Sequence, residues 1–154
     1  MQTRRSFADV GDVTALVVEN DVRIRPLIVR LIRTCGFSTV AEAGDGKEAL
    51  AYLASNDPDL ILTDLDMPRM NGIEFVRRLR ASGVKTPVIM MSAQDDEALI
   101  AQARQAGISA YVSKPMNAQT LSRTIHRTLA LAARMTKRQG SSIAKAREHR
   151  RGVA

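Results

Sequence analysis

Residues 60–72 read LILTDLDMPRMNG. Leu60 to Thr63 is a short apolar run of the kind that forms a buried strand. It runs into Asp64, then Leu65 and Asp66, before Ile73, Val76 and Leu79 set up a stripe at helical spacing. Strand, polar loop and amphipathic helix follow one another within about twenty residues. That order is the repeating unit of an α/β protein.

The same unit recurs on both sides. Four further short apolar runs are Ala15–Val18, Thr39–Ala41, Val88–Met91 and Ala110–Val112. Between them lie helical stripes: Leu27, Ile28, Leu31 and Ile32; Ala49, Leu50 and Leu53; Leu121, Ile125 and Leu129. The stretch from Asp95 to Gln105 opens on acids, carries Arg104 near its end and stops at Gly107. That polarity suits the helix dipole and a glycine stop. Five strand-helix repeats predict a parallel sheet with helices on both faces, joined by right-handed crossovers. Pro26 predicts a kink or a late start in the first helix. The short second strand, bordered by Ser38 and Glu42, suits an edge.

Composition bounds the alternatives. The chain has 154 residues, 45% hydrophobic and 25% charged, which is one globular domain's worth. Cys35 is the single cysteine, so a disulfide framework and a multi-cysteine zinc site are excluded. No uninterrupted apolar run approaches the roughly 18 residues of a spanning helix. The N-terminus, MQTRRSFADVGDV, has no apolar segment behind its arginines, so it does not read as a secretory signal. The cytoplasm is the expected setting. The net charge of +7 is uneven: residues 1–131 hold 16 Lys+Arg against 15 Asp+Glu, and residues 132–154 hold seven against one, Glu148. The chain thus divides into an N-terminal extension (1–13), a near-neutral domain (14–133) and a basic tail (134–154). The tail has few large apolar residues and reads first as disordered, second as an inducible helix over 142–150.

In open parallel sheets, ligands bind at the carboxyl ends of the strands. Here those ends carry Glu19, Asn20 and Asp21 after the first strand, Asp64 and Asp66 after the third, Ser92 after the fourth, and Lys114 before Pro115 after the fifth. Parallel strands bring these groups to one edge. Clustered carboxylates repel unless a cation neutralises them, and a hard oxygen-ligated ion such as Mg²⁺ suits the set. Asp64 then has a plausible role as a carboxylate nucleophile forming an aspartyl-phosphate. Lys114 and Ser92 would hold the phosphoryl oxygens. Singly each signal is weak, since an Asp after a strand is usually a turn former. Together, and in order, they point to a site.

The stretches VVEND, LTDLDMPRMNG, PVIMMSA and YVSKP, at these intervals, resemble a response-regulator receiver domain, over about residues 14–133. The resemblance implies a flavodoxin-like doubly wound sheet of five parallel strands, order 2-1-3-4-5, with five helices. It implies phosphorylation of Asp64, a hydroxyl switch at Ser92, a phosphoryl-contacting Lys114 and a cis bond before Pro115. Tyr111 matches an aromatic position that turns inward on activation, and a half-buried packing role stands equally open for it. Mg²⁺ would be held by Glu19, Asn20, Asp64 and the backbone carbonyl of Asp66. Asn20 stands where the family usually has a second acid, so weaker metal binding is the implication. Asp66 and Gln94 occupy places that tune the lifetime of the phosphoryl group, with plain surface solvation as the alternative. Cys35 and Met67, Met70, Met90 and Met91 read as packing residues. His126 and His149 read as solvated.

The function so implied is that of a stand-alone, chemotaxis-regulator-like two-component protein and not an enzyme with a separate substrate. It would be phosphorylated by a histidine kinase or phosphotransfer protein and read out through the face of the fourth helix, fifth strand and fifth helix. Residues 134–154 leave no room for a conventional DNA-binding output domain. A monomer or weak dimer without a membrane span is expected. Nucleic acid is disfavoured as a partner because the domain is near neutral and the tail lacks aromatic residues. The alternatives are a phosphorylation-independent interaction module on the same fold, or a regulator that binds nucleic acid through the tail.

Overall fold

The structure, a computed structural model, describes residues 13–151, with side chains described to Gln139. Ten elements alternate without exception: β1 (Thr14–Val18), α1 (Arg25–Thr34), β2 (Thr39–Ala43), α2 (Gly46–Leu53), β3 (Leu60–Asp64), α3 (Gly72–Ala81), β4 (Val88–Ser92), α4 (Glu97–Ala106), β5 (Ala110–Ser113) and α5 (Ala118–Arg151). All pairings are parallel and the strand order is β2-β1-β3-β4-β5. β2 is an edge strand, and the ladder extends it past Ala41 to Ala43, opposite Val18.

The apolar runs are continuous because the central strands are covered on both faces. Ala15, Val17, Leu60, Leu62, Ile89 and Met91 join Ile28, Val29 and Ile32 of α1 and Leu121 and Ile125 of α5 in one core. Their neighbours Leu16, Val18, Ile61, Val88 and Met90 point the other way, onto Ala49 of α2, Phe75, Val76 and Leu79 of α3, and Ala103 of α4. The period-two alternation of the strands thus fills two layers at once. Met67, Met90 and Met91 are buried core residues, as is Cys35.

Helix ends follow local chemistry. Pro26 lies in the first turn of α1, so the helix starts late, at Arg25, and is not kinked within. Asp45, Asn71 and Asp96 cap α2, α3 and α4 by accepting from backbone N–H groups of the first turn. Glu48 returns the bond to the Gly44 N–H, closing a box around the start of α2. Gly107 ends α4 at φ 113°. Asp95 stays outside α4 and accepts from the Ser113 hydroxyl at 2.7 Å.

At the C-terminal end the structure differs from the reading of a disordered tail. α5 is one helix of 34 residues that runs through position 133 to Arg151 without a break. At 1.5 Å per residue it is about 51 Å long. The reason lies in local propensity: Ala132, Ala133, Arg134, Met135, Lys137, Arg138 and Gln139 are strong helix formers, and the first break-prone residue is Gly140. Packing does not sustain this part, for residues 133–139 are all exposed. Residues 1–12 and 152–154 lie outside the described residues, and of the expected N-terminal extension (1–13) only Val13 is described, buried in the core.

Candidate functional site

The strand ends converge as the parallel topology requires. Glu19 follows β1 and is 1% exposed, Asp64 ends β3 at 3%, and Ser92 ends β4 at 0%. Lys114 follows β5, and its bond to Pro115 is cis. Its Nζ lies 3.1 Å from Glu19 Oε2 and 3.3 Å from Asp64 Oδ1. One ammonium therefore bridges two buried carboxylates, leaving one negative charge in excess.

Asp64 is accordingly held above the ordinary carboxylate range. Burial raises its pKa first, the Glu19 carboxylate adds to the rise, and Lys114 opposes both, with a net value of about 6. Burial pulls Lys114 down, but Asp64 and Glu19 outweigh it and hold the ammonium above its ordinary range. The Asp66 N–H donates to Asp64 Oδ1 at 3.2 Å. The Asp21 N–H donates to Glu19 Oε1 at 3.2 Å.

The β3–α3 loop folds back tightly on the strand that carries Asp64. The Gly72 N–H donates to the Leu65 carbonyl at 2.8 Å, and a Cβ at Gly72 would sit 2.4 Å from the Asp64 carbonyl oxygen. No larger residue fits there. Arg69, at φ 66°, turns the same loop and pairs with Asp45 at 3.5 Å.

Over the entrance, Gln94 gathers the remaining groups. Its Nε2 donates to Asp66 Oδ1 at 2.8 Å, and its N–H donates to Ser92 Oγ at 3.0 Å. Ser92 Oγ in turn lies 3.5 Å from Asp66 Oδ2. The Tyr111 hydroxyl donates to the Gln94 carbonyl, and Tyr111 itself is half-buried. Asp66 and Gln94 are thus joined to each other as well as exposed.

Among the residues singled out in the sequence, Asn20 is the outlier in place, exposed where Glu19 is buried. Asp21 does not replace it, because its carboxylate accepts from the Arg23 backbone and side chain. Among the described residues no three His, Cys, Asp or Glu side chains stand at metal spacing. A divalent cation placed here would find two buried carboxylates, Glu19 and Asp64, and otherwise neutral oxygens. The His126 Nδ1 lies 2.7 Å from the Ser122 carbonyl, a bond within the helix. Arg25 has no sequence signal, yet it is part of the site's frame. Its Nη1 donates to the Glu19 carbonyl at 2.9 Å and its Nε pairs with Glu42 at 3.3 Å.

Ligands of such sheets sit where the strand order reverses. Here the reversal falls between β1 and β3, whose ends carry Glu19 and Asp64. The molecule is thus a doubly wound α/β protein with an acidic, lysine-bridged site at that crevice. The sequence matches the profile of the response regulator receiver domain over residues 15–126, and the chain belongs to that family. It is 40% identical over 114 residues to the chemotaxis protein CheY of Pseudomonas aeruginosa, covering 73% of this chain and 92% of that one. It is 37% identical to chemotaxis protein CheY-3 of Vibrio cholerae over 108 residues, 69% of this chain and 83% of the other. Among solved structures, CheY4 of Vibrio cholerae superposes with a TM-score of 0.70 at 30% identity, covering 75% and 98% of the two chains. A receiver domain of Francisella gives 0.72 at 29% identity, covering 78% and 98%. The chain is therefore a receiver-domain protein of the chemotaxis-regulator type, with two-component signalling as its context. No helix among the described residues is long and apolar enough to cross a membrane.

Proposed function

We propose that this protein is a phosphorylation-switched regulator whose phosphoacceptor is Asp64. The observation that supports this most is the placement of Lys114 between Glu19 and Asp64, two buried carboxylates that one cation does not fully neutralise. A phosphohistidine on a kinase or phosphotransfer protein is the donor. An Asp64 carboxylate oxygen attacks phosphorus, the O–P bond forms as the P–N bond breaks, and the leaving imidazole takes up a proton. Lys114 offsets the phosphoryl charge. Ser92 leaves Asp66 to donate its hydroxyl proton to a phosphoryl oxygen.

The oxygen donors of Glu19, Asp64, Asn20 and the Asp66 backbone fit Mg²⁺ in kind. When bound, the ion supplies the positive charge that the acidic pair lacks. With Asn20 in place of an acid, this chain holds it with less ligand charge. Val22 and Leu27, 70% and 58% exposed beside the site, offer apolar surface for the phosphodonor protein. The readout is altered affinity of the α4–β5–α5 face for a downstream protein in the cytoplasm, with Tyr111 and Gln94 responding when Ser92 moves. The phosphoryl group is accepted and lost by the domain's own groups, without a separate substrate.

Intact-mass measurement after incubation with acetyl phosphate and Mg²⁺ tests the assignment. The wild type gains one phosphoryl group and Asp64→Asn gains none. Equal labelling of both, or no labelling of the wild type, overturns it.

A further inference from the structure

Between Glu97 and Glu148 the sequence has no Asp or Glu and nine Lys or Arg. The single helix α5 arranges much of this charge. Arg123, Arg127, Arg134 and Arg138 follow one another at spacings of four, seven and four residues, which at 100° per residue places all four within about 60° of arc. The strip spans about 22 Å along the axis. It faces away from the core, since Leu121 and Ile125 fill the opposite side, and all four arginines are exposed. Lys137 borders it, and Lys145 falls in the same helical register. No carboxylate pairs with any of the four arginines among the described residues.

We infer that the outer face of α5 docks on the phosphate backbone of double-stranded DNA. Sequence alone separates Arg123 and Arg127, in a near-neutral domain, from the cations of the tail. The continuous helix puts them in one line. A protein partner needs a desolvated apolar or aromatic centre to bind well. The strip itself holds none: the exposed Leu131 and Met135 lie to one side of it, and α5 has no aromatic residue. A membrane-surface helix needs a broad apolar face, which is missing for the same reason. Phosphates ask only for forked cationic donors, and these are arginines. Without aromatic side chains the helix has nothing on which unpaired bases could stack. A continuous helix also fits beside the wide groove of B-form DNA, whereas A-form RNA closes its major groove to side chains. Binding is therefore independent of sequence and strongly dependent on salt.

The proposal goes beyond phosphorylation of Asp64 and does not depend on it. Fluorescence anisotropy of the full chain with a labelled mixed-sequence DNA duplex tests it. Four phosphate contacts predict a log–log salt slope of about −3 to −4. Scrambling the duplex sequence leaves the affinity unchanged. Arg134→Gln with Arg138→Gln, which keeps helix propensity, lowers affinity roughly ten-fold at about 0.1 M salt and flattens the slope by about 2. Circular dichroism and phosphate uptake on Asp64 stay at wild-type values in this variant. Absence of duplex binding at low salt, or equal binding by the double variant, overturns the proposal. Tighter binding to poly-glutamate, anionic vesicles or duplex RNA than to duplex DNA also overturns it.

Discussion

Two partly buried cations, Lys114 and Arg80, sit at opposite ends of the sheet and have opposite surroundings. Arg80 leaves α3 near the amino ends of the strands. Its guanidinium donates to the carbonyls of Val84 and Thr86 at 2.8 Å each and to Gly107 at 2.9 and 3.2 Å. Every acceptor is a neutral backbone oxygen, so the group is held and satisfied without any excess charge. Burial lowers its pKa, and no neighbouring charge contributes to that shift. Lys114 instead faces two carboxylates, and burial first, with the Glu19 charge adding to it, holds Asp64 at about 6. A cation saturated by carbonyls ties a loop and two helices together. A cation placed among more negative charge than it can cancel leaves a site that still attracts positive charge. The contrast distinguishes a cation that is fully satisfied from one left in an unbalanced cluster better than burial does.

The largest effect expected from this contrast is at Arg80. Arg80→Ala strips donors from three carbonyls at once and should cost roughly 2–3 kcal/mol in denaturant unfolding. Phosphate uptake by the folded fraction should stay at the wild-type rate. A loss below about 0.5 kcal/mol would mean that water replaces the guanidinium freely.

Asp64→Asn should act in the other direction. The folded pKa of Asp64 lies above its ordinary value, so the folded state binds the extra proton between about pH 4 and 6. The cost of the buried charge is absent below that window, grows as pH rises through it, and is complete above pH 6. In EDTA at pH 7.5 the variant should be more stable by about 1–2 kcal/mol, and the gain should vanish near pH 4. A gain that persists at pH 4 would show that ionisation of Asp64 is not its source.

Gly107→Ala probes the neutral end again. It forces a Cβ at φ 113° to within 3.0 Å of the Arg80 side chain, at a cost of about 1 kcal/mol. In an Arg80→Ala background the crowding part should disappear, and a double-mutant cycle reads that coupling.

The smallest change in stability is expected at Asn20. Asn20→Asp adds ligand charge at an exposed position, so Mg²⁺ should bind several-fold more tightly in a calorimetric titration. Equal affinities would place Asn20 outside the metal shell.

The sequence made the strands legible because β1, β3 and β4 are covered on both faces and so must be apolar throughout. It was less complete at β2, where Glu42 and Ala43 belong to the strand through backbone pairing that no hydrophobic pattern records. At the site, Glu19, Asp64, Ser92 and Lys114 were readable because each is the polar residue that ends or follows an apolar run. Arg25 was not, since it reaches Glu19 through a carbonyl, and any residue type offers a carbonyl. Arg80 was equally silent, being one of several arginines on α3 until the fold aims it at α4.

By itself, then, the sequence determined the alternation of strands and helices, the edge at which the charged groups must meet, and the identity of those groups. These follow from local periodicity and from the fact that parallel strands share one direction. Only the tertiary structure decided which charges face one another. It set one lysine between two carboxylates and joined Gln94 to Asp66, Ser92 and Tyr111. The reason is that electrostatic interactions depend on distances between residues far apart in the chain: Lys114 and Glu19 are 95 positions apart and 3.1 Å from each other.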